Sequence, residues 1–85
     1  MNISKHEQRV LHELALGGSI HYVRGENGKI RDITCYTRNG HVLSDCTMAV
    51  FTRLKKRRFI HSHSGRPYRA SRAGIKAVRA ELNQR

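Results

Sequence analysis

The sequence predicts a small α+β domain with elements in the order α-β-β-α-β-β-α. Three observations predict it. The chain has 85 residues, which suits one domain and no more. Three runs space apolar side chains three or four residues apart, and each follows a residue that can cap a helix. Between them lie paired β-branched and aromatic runs, broken by Asn-Gly or Ser-Gly.

The first helix is expected over residues 5–16. Its "SKHE" start has capping-box spacing: Ser4 accepts the Glu7 amide proton, and the Glu7 carboxylate reaches back to the Ser4 amide. Val10, Leu11 and Leu14 then form one stripe, and Gly17-Gly18 stops the helix. Strands follow at 19–24 and 30–37, with Asn27-Gly28 as the turn between them. Asn39-Gly40 marks a second turn, after which "HVL" can add a third short strand.

Asp45 is expected to cap a second helix over 46–57, with Thr47, Val50, Phe51 and Leu54 on one side. Thr52, Arg53, Lys55 and Lys56 look outward. The next hairpin has strands at 59–63 and 68–70 around Ser64-Gly65-Arg66-Pro67. Tyr68 should face in and Arg69 out. Ser71 caps a third helix at 72–83, with Ile75, Val78 and Leu82 inward and "NQR" fraying. The second half therefore reads helix, two-stranded wing, helix. A basic helix beside a basic hairpin points to one winged-helix-like domain over residues 1–85. The first half departs from that pattern, because a hairpin stands where a short helix usually precedes the recognition helix.

Formal net charge is +11, from 17 Lys and Arg against 6 Asp and Glu. Such an excess resists compaction and favours a polyanionic or acidic partner. The run Lys55-Lys56-Arg57-Arg58 can be read as a solvated helix end. Arg53, Arg66, Arg69, Arg72, Lys76 and Arg79 continue the same sign, however, with few acids between them to pair with. Arg53, Lys55, Lys56, Arg57, Arg58, Arg66 and Arg69 are therefore the candidate contact surface for nucleic acid or an acidic protein face. Reading of base sequence is disfavoured, because the outward face of the second helix offers no Asn or Gln for adenine.

Other chemistry is poorly supported. Cys35, His41, Cys46, His61 and His63 are conceivable metal ligands, but the Cys-x5-His-x4-Cys spacing matches no compact zinc motif. Core thiols and hairpin imidazoles are the simpler reading. No Gly-rich phosphate loop follows a strand, and a core this small leaves little room for an enclosed active site. The sequence thus argues against an enzyme, a metal and a cofactor. No signal-peptide h-region or membrane-length apolar run is present, so a cytoplasmic location with free thiols is expected.

The blocks "SKHEQRVLHELALGGSI", "CYTRNG", "SDCTMAVF" and "GRPYR" resemble the small bacterial YjhX toxins, also called TopAI. The likeness spans nearly the whole chain and includes the order of the blocks. It implies the toxin of a toxin–antitoxin pair whose antitoxin is acetyltransferase-like. It further implies binding to DNA topoisomerase I and a block on relaxation of negatively supercoiled DNA. It transfers no contact residue. A winged-helix DNA-binding autoregulator is the alternative reading, and DNA is a candidate partner in both.

Overall fold

A computed structural model describes residues 3–83 of the chain, and side chains for 3–79. The elements run α1 (Lys5–Ala15), β1 (Ser19–Arg24), β2 (Ile30–Tyr36), α2 (Met48–Lys56), β3 (Ile60–His61), β4 (Arg69–Ala70) and α3 (Arg72–Asn83). The described residues form a small α+β domain with three helices and two antiparallel two-stranded sheets.

Helix α1 begins where Ser4 Oγ accepts the Glu7 amide at 3.1 Å. The reciprocal half of the expected capping box does not form, because the Glu7 side chain turns inward and is buried. It joins Val10, Leu11 and Leu14 on the same stripe. The helix closes in a Schellman turn: Gly17 donates to Leu14 O and Gly18 to Glu13 O, both at 3.0 Å. Gly17 sits at φ +116°, where a side chain would be strained.

Strands β1 and β2 pair from Ser19↔Tyr36 to Arg24↔Ile30, with an irregularity after Val23. The strands end and restart at Arg24 and Ile30, as expected, with Asn27-Gly28 in the connection between them. Gly28 donates to Gly25 O and Gly25 to Lys29 O, and only Gly28 in this turn has positive φ. After the Thr37–Gly40 turn the chain returns along β2. The third strand is reduced to one bridge, Tyr36↔Val42.

Helix α2 starts later than expected. Thr47, with extended φ and ψ, accepts the Val50 amide through Oγ1 at 3.3 Å and is the cap. Asp45 is not the cap: its carboxylate lies 3.7 Å from Arg9 and 3.6 Å from His6. The β3–β4 hairpin, which stands where the wing is expected, is shorter than expected, with Ile60↔Ala70 and His61↔Arg69 as its register. Its turn is shifted back by one residue to His63–Arg66, closed by Arg66 N to His63 O at 3.0 Å. Ser64 (φ 52°) and Gly65 (φ 76°) give both central positions positive φ, as in a type I′ turn.

The two hairpins meet at Ile20 and Tyr68, whose backbones exchange hydrogen bonds of 2.9 and 2.8 Å. Alternation then sorts the side chains. Ile20, Cys35, Ile60 and Tyr68 face the core, which Val50, Phe51, Leu54, Phe59 and Val78 complete with the α1 stripe. Phe51 and Tyr22 both meet the Tyr68 ring edge-on, at 5.1 and 5.4 Å. Arg69 is exposed and Ile75 half-buried. The Leu82 side chain and the Gln84-Arg85 terminus lie outside the described residues.

Gly74 is required by close approach. A Cβ there would collide with the Phe59 carbonyl oxygen and press within 3.2 Å of Leu11. Its absence lets α3 lie directly against the end of α2 and against α1.

Candidate functional site

The basic run occupies the C-terminal end of α2, where the negative pole of the helix dipole favours positive charge. The helix ends in a second Schellman turn: Arg58 N donates to Lys55 O and Phe59 N to Leu54 O, both at 3.0 Å. Arg58 holds the left-handed position at φ 61°, where glycine is the usual occupant. Its carbonyl accepts the Ser71 hydroxyl at 2.7 Å, and Ser71 Oγ in turn accepts the Gly74 amide at 3.1 Å. Ser71 thus caps α3 and clasps it to the end of α2.

The seven candidate residues do not share one environment. Arg53 and Arg57 turn toward α1, where their Nη1 atoms each stand 3.5 Å from a different oxygen of Glu7. That carboxylate is only 2% exposed, and its Oε2 accepts no hydrogen bond in the structure. The expectation that the basic groups lack internal mates is therefore corrected for these two. An acid on the buried stripe of α1, in step with Val10, Leu11 and Leu14, was the sequence signal for this pairing.

Lys55 leans over the Tyr68 ring, with Nζ 6.0 Å from its centroid. It also borders a cleft of about 350 Å³ between α2 and the tip of the first hairpin, which Arg24 and Lys29 share. Sequence reasoning did not find these two cations, because only the fold brings the hairpin tip to α2. Arg24 is oriented by a 2.8 Å bond to Gly28 O and by the Tyr22 ring, 5.3 Å away.

Lys56 and Arg58 are exposed and meet no carboxylate among the described residues. Arg66 and Arg69 line a different hollow, together with His21, His61 and His63 and with no residue of α2. The positive surface is thus divided: an α2 tip, a hairpin cleft and a wing face.

The two thiols, separated by ten residues of sequence, are brought together. Leu43 N bonds Cys35 O at 2.8 Å, and Cys46 N reaches back to Leu43 O at 3.4 Å. Both cysteines are free. Hydrogen bonding to the Cys46 thiol lowers the Cys35 pKa, against its burial. The same bond, with burial, pushes the Cys46 thiol far above the ordinary range. His41 does not join them: among the described residues no group of three or more potential ligands could hold a metal ion. No described helix is long and apolar enough to cross a membrane.

Comparison with known proteins adds a family. A family model described as "Putative toxin of bacterial toxin-antitoxin pair", YjhX_toxin, matches residues 1–85. A UPF0386 protein of Brucella anthropi is 58% identical over 85 residues, covering the whole of both chains. UPF0386 proteins of Parvibaculum lavamentivorans and Beijerinckia indica are 56% and 53% identical over 85 residues, again with full coverage of each. No solved structure matches the chain.

Proposed function

The chain belongs to the YjhX toxin family of bacterial toxin–antitoxin pairs, and from that premise we propose that it acts by binding DNA topoisomerase I through the basic tip of α2. The action is stoichiometric occlusion rather than turnover. Lys56 and Arg58 make the principal contacts, with Lys55 at their side. Arg53 and Arg57, braced on Glu7, form the inner wall of the tip.

The observation that carries this reading is Arg58. A non-glycine residue in the left-handed region costs about 1 kcal/mol relative to glycine. The turn geometry alone would favour glycine there, so retaining a guanidinium at that strained position supports a role for its charge. The topoisomerase itself is supported by the family likeness, as is an acetyltransferase-like antitoxin. An acidic antitoxin surface would cover the same tip and so compete with the target.

The test is plasmid relaxation by topoisomerase I with the Lys56→Ala/Arg58→Ala variant, leaving Arg57 in place to preserve the Glu7 contact. Inhibition should weaken by at least about tenfold, the scale of one lost charge-assisted contact. Undiminished inhibition by a folded variant would refute the assignment.

A second reading is duplex DNA binding in a winged-helix manner, favoured by the cleft that gathers Arg24, Lys29 and Lys55. It requires retardation of DNA without enzyme, with affinity that falls steeply as salt rises. Direct inhibition instead requires capture of topoisomerase I after nuclease treatment.

A further inference from the structure

We propose that the exposed concave face of the wing, formed by Ser19, His21, His61, His63, Arg66 and Arg69, is a binding site for a phosphate group. The site is separate from the α2 tip and does not depend on the topoisomerase reading.

Its composition follows from strand register. On β1, Ser19 and His21 alternate with the buried Ile20 and so share the outward face. On the wing, His61 and Arg69 are cross-strand partners and both are exposed. The Ile20↔Tyr68 bridge sets these strands side by side, which carries His21 to the edge of the wing. The wing turn then supplies His63 and Arg66, the two ends of a hydrogen-bonded turn. The Ser62 hydroxyl fixes that turn by donating to Arg66 O at 2.5 Å.

The resulting hollow has a volume of about 420 Å³, within the range of small-molecule sites. Its lining holds two guanidinium groups, three imidazoles and no carboxylate. Arg66 and Arg69 form no ion pair among the described residues. Arg69 Nη1 donates to Gly17 O at 3.3 Å, which steadies the guanidinium while leaving other N–H groups for a ligand. The His61 and His63 rings meet edge-on with centroids 4.9 Å apart, so both stand at one side of the hollow.

The charge of this lining selects an anion. Arginines remain protonated and would repel a metal cation brought to the imidazoles. Planar guanidinium forks suit the paired oxygens of a phosphate, and imidazole N–H and serine O–H groups add donors around them. The phosphate can come from a free mononucleotide or from a nucleic-acid strand, and the chemistry of recognition is the same.

The experiment is titration of the full chain, followed by amide NMR shifts at constant ionic strength. The probes are inorganic phosphate, adenosine monophosphate, and a single-stranded oligonucleotide with and without a 5′-phosphate. Saturable shifts centred on residues 19–21 and 61–69 are expected. Arg66→Ala and Arg69→Ala should each weaken binding by about tenfold or more, whereas Lys5→Ala, at an exposed lysine outside every proposed contact, should leave it unchanged. Preference for adenosine monophosphate supports a nucleotide ligand; preference for either oligonucleotide supports a strand. Absence of saturation with every probe would overturn the proposal. So would an equal loss in Lys5→Ala, since that would reduce the effect to net charge.

Discussion

Glu7 offers the sharpest test of how the basic tip is held. Replacing it with Gln keeps the shape and one acceptor oxygen but removes the charge. The carboxylate is 2% exposed and lies 3.5 Å from both Arg53 and Arg57. At an effective dielectric of about 20, a contact of that length is worth about 5 kcal/mol before desolvation. Arg53 is 59% exposed, so water screens its share toward the surface value of about 0.2–1 kcal/mol. Arg57, at 33% exposure, keeps more of its share. Against both stands the cost of burying the carboxylate, several kcal/mol, which Gln relieves. The net loss should be about 2 kcal/mol, below the roughly 3–5 kcal/mol seen when a fully buried pair is broken. At about 4–8 °C per kcal/mol for a domain of this size, melting should fall by on the order of 10 °C. Circular dichroism melts of Glu7→Gln, Arg57→Met and the double variant measure it. The second substitution should cost less when the first is present. A Glu7→Gln melting point within about 2 °C of the parent, or strict additivity in the cycle, would refute the pairing.

Other expectations follow from single features. Gly74→Ala forces α3 off the Phe59 carbonyl and should cost at least about 3 kcal/mol, enough to leave much of so small a domain unfolded in a thermal melt. Arg58→Gly relieves the left-handed strain and should raise stability by about 1 kcal/mol in the same melt, while weakening topoisomerase inhibition. Thr47→Ala removes the α2 cap and should cost about 1 kcal/mol by denaturant titration, whereas Asp45→Ala should leave the m-value and the start of α2 unchanged. The thiols should titrate as a pair. Absorbance at 240 nm should show one thiolate per chain, not two, as pH rises past the ordinary cysteine value of about 8.5. The raised Cys46 pKa contributes stability below the unfolded value that is lost as pH climbs beyond it; the lowered Cys35 pKa acts in the opposite sense. Their contributions oppose each other, so alkaline unfolding should come from the second proton.

Much of the fold was legible because its signals are local. Ser4, Ser71 and Gly17-Gly18 announce helix ends through their own hydrogen-bonding and backbone preferences, and the structure uses them so. Tyr68 and Arg69 face opposite ways because alternation is a property of any strand. Errors arose where two local solutions compete. Asp45 and Thr47 both suit a helix start, and the pull of Arg9 on Asp45 resolves the choice only in three dimensions. Positions of charge were the least legible. Sequence spacing grouped seven basic residues of the second helix and the wing on one surface, but Glu7 draws two of them inward and the wing pair lines a separate hollow.

The hydroxyl of Ser71 has a wider consequence than closing one helix. By gripping Arg58 O and the Gly74 amide together, it welds the tip of α2 to the first turn of α3 as a single stiff corner. A partner meeting that corner finds its main chain already arranged. The entropy forfeited on association is then confined to a few long side chains. Loosening the clasp with Ser71→Ala should therefore slow no encounter, yet shorten the lifetime of whatever complex forms.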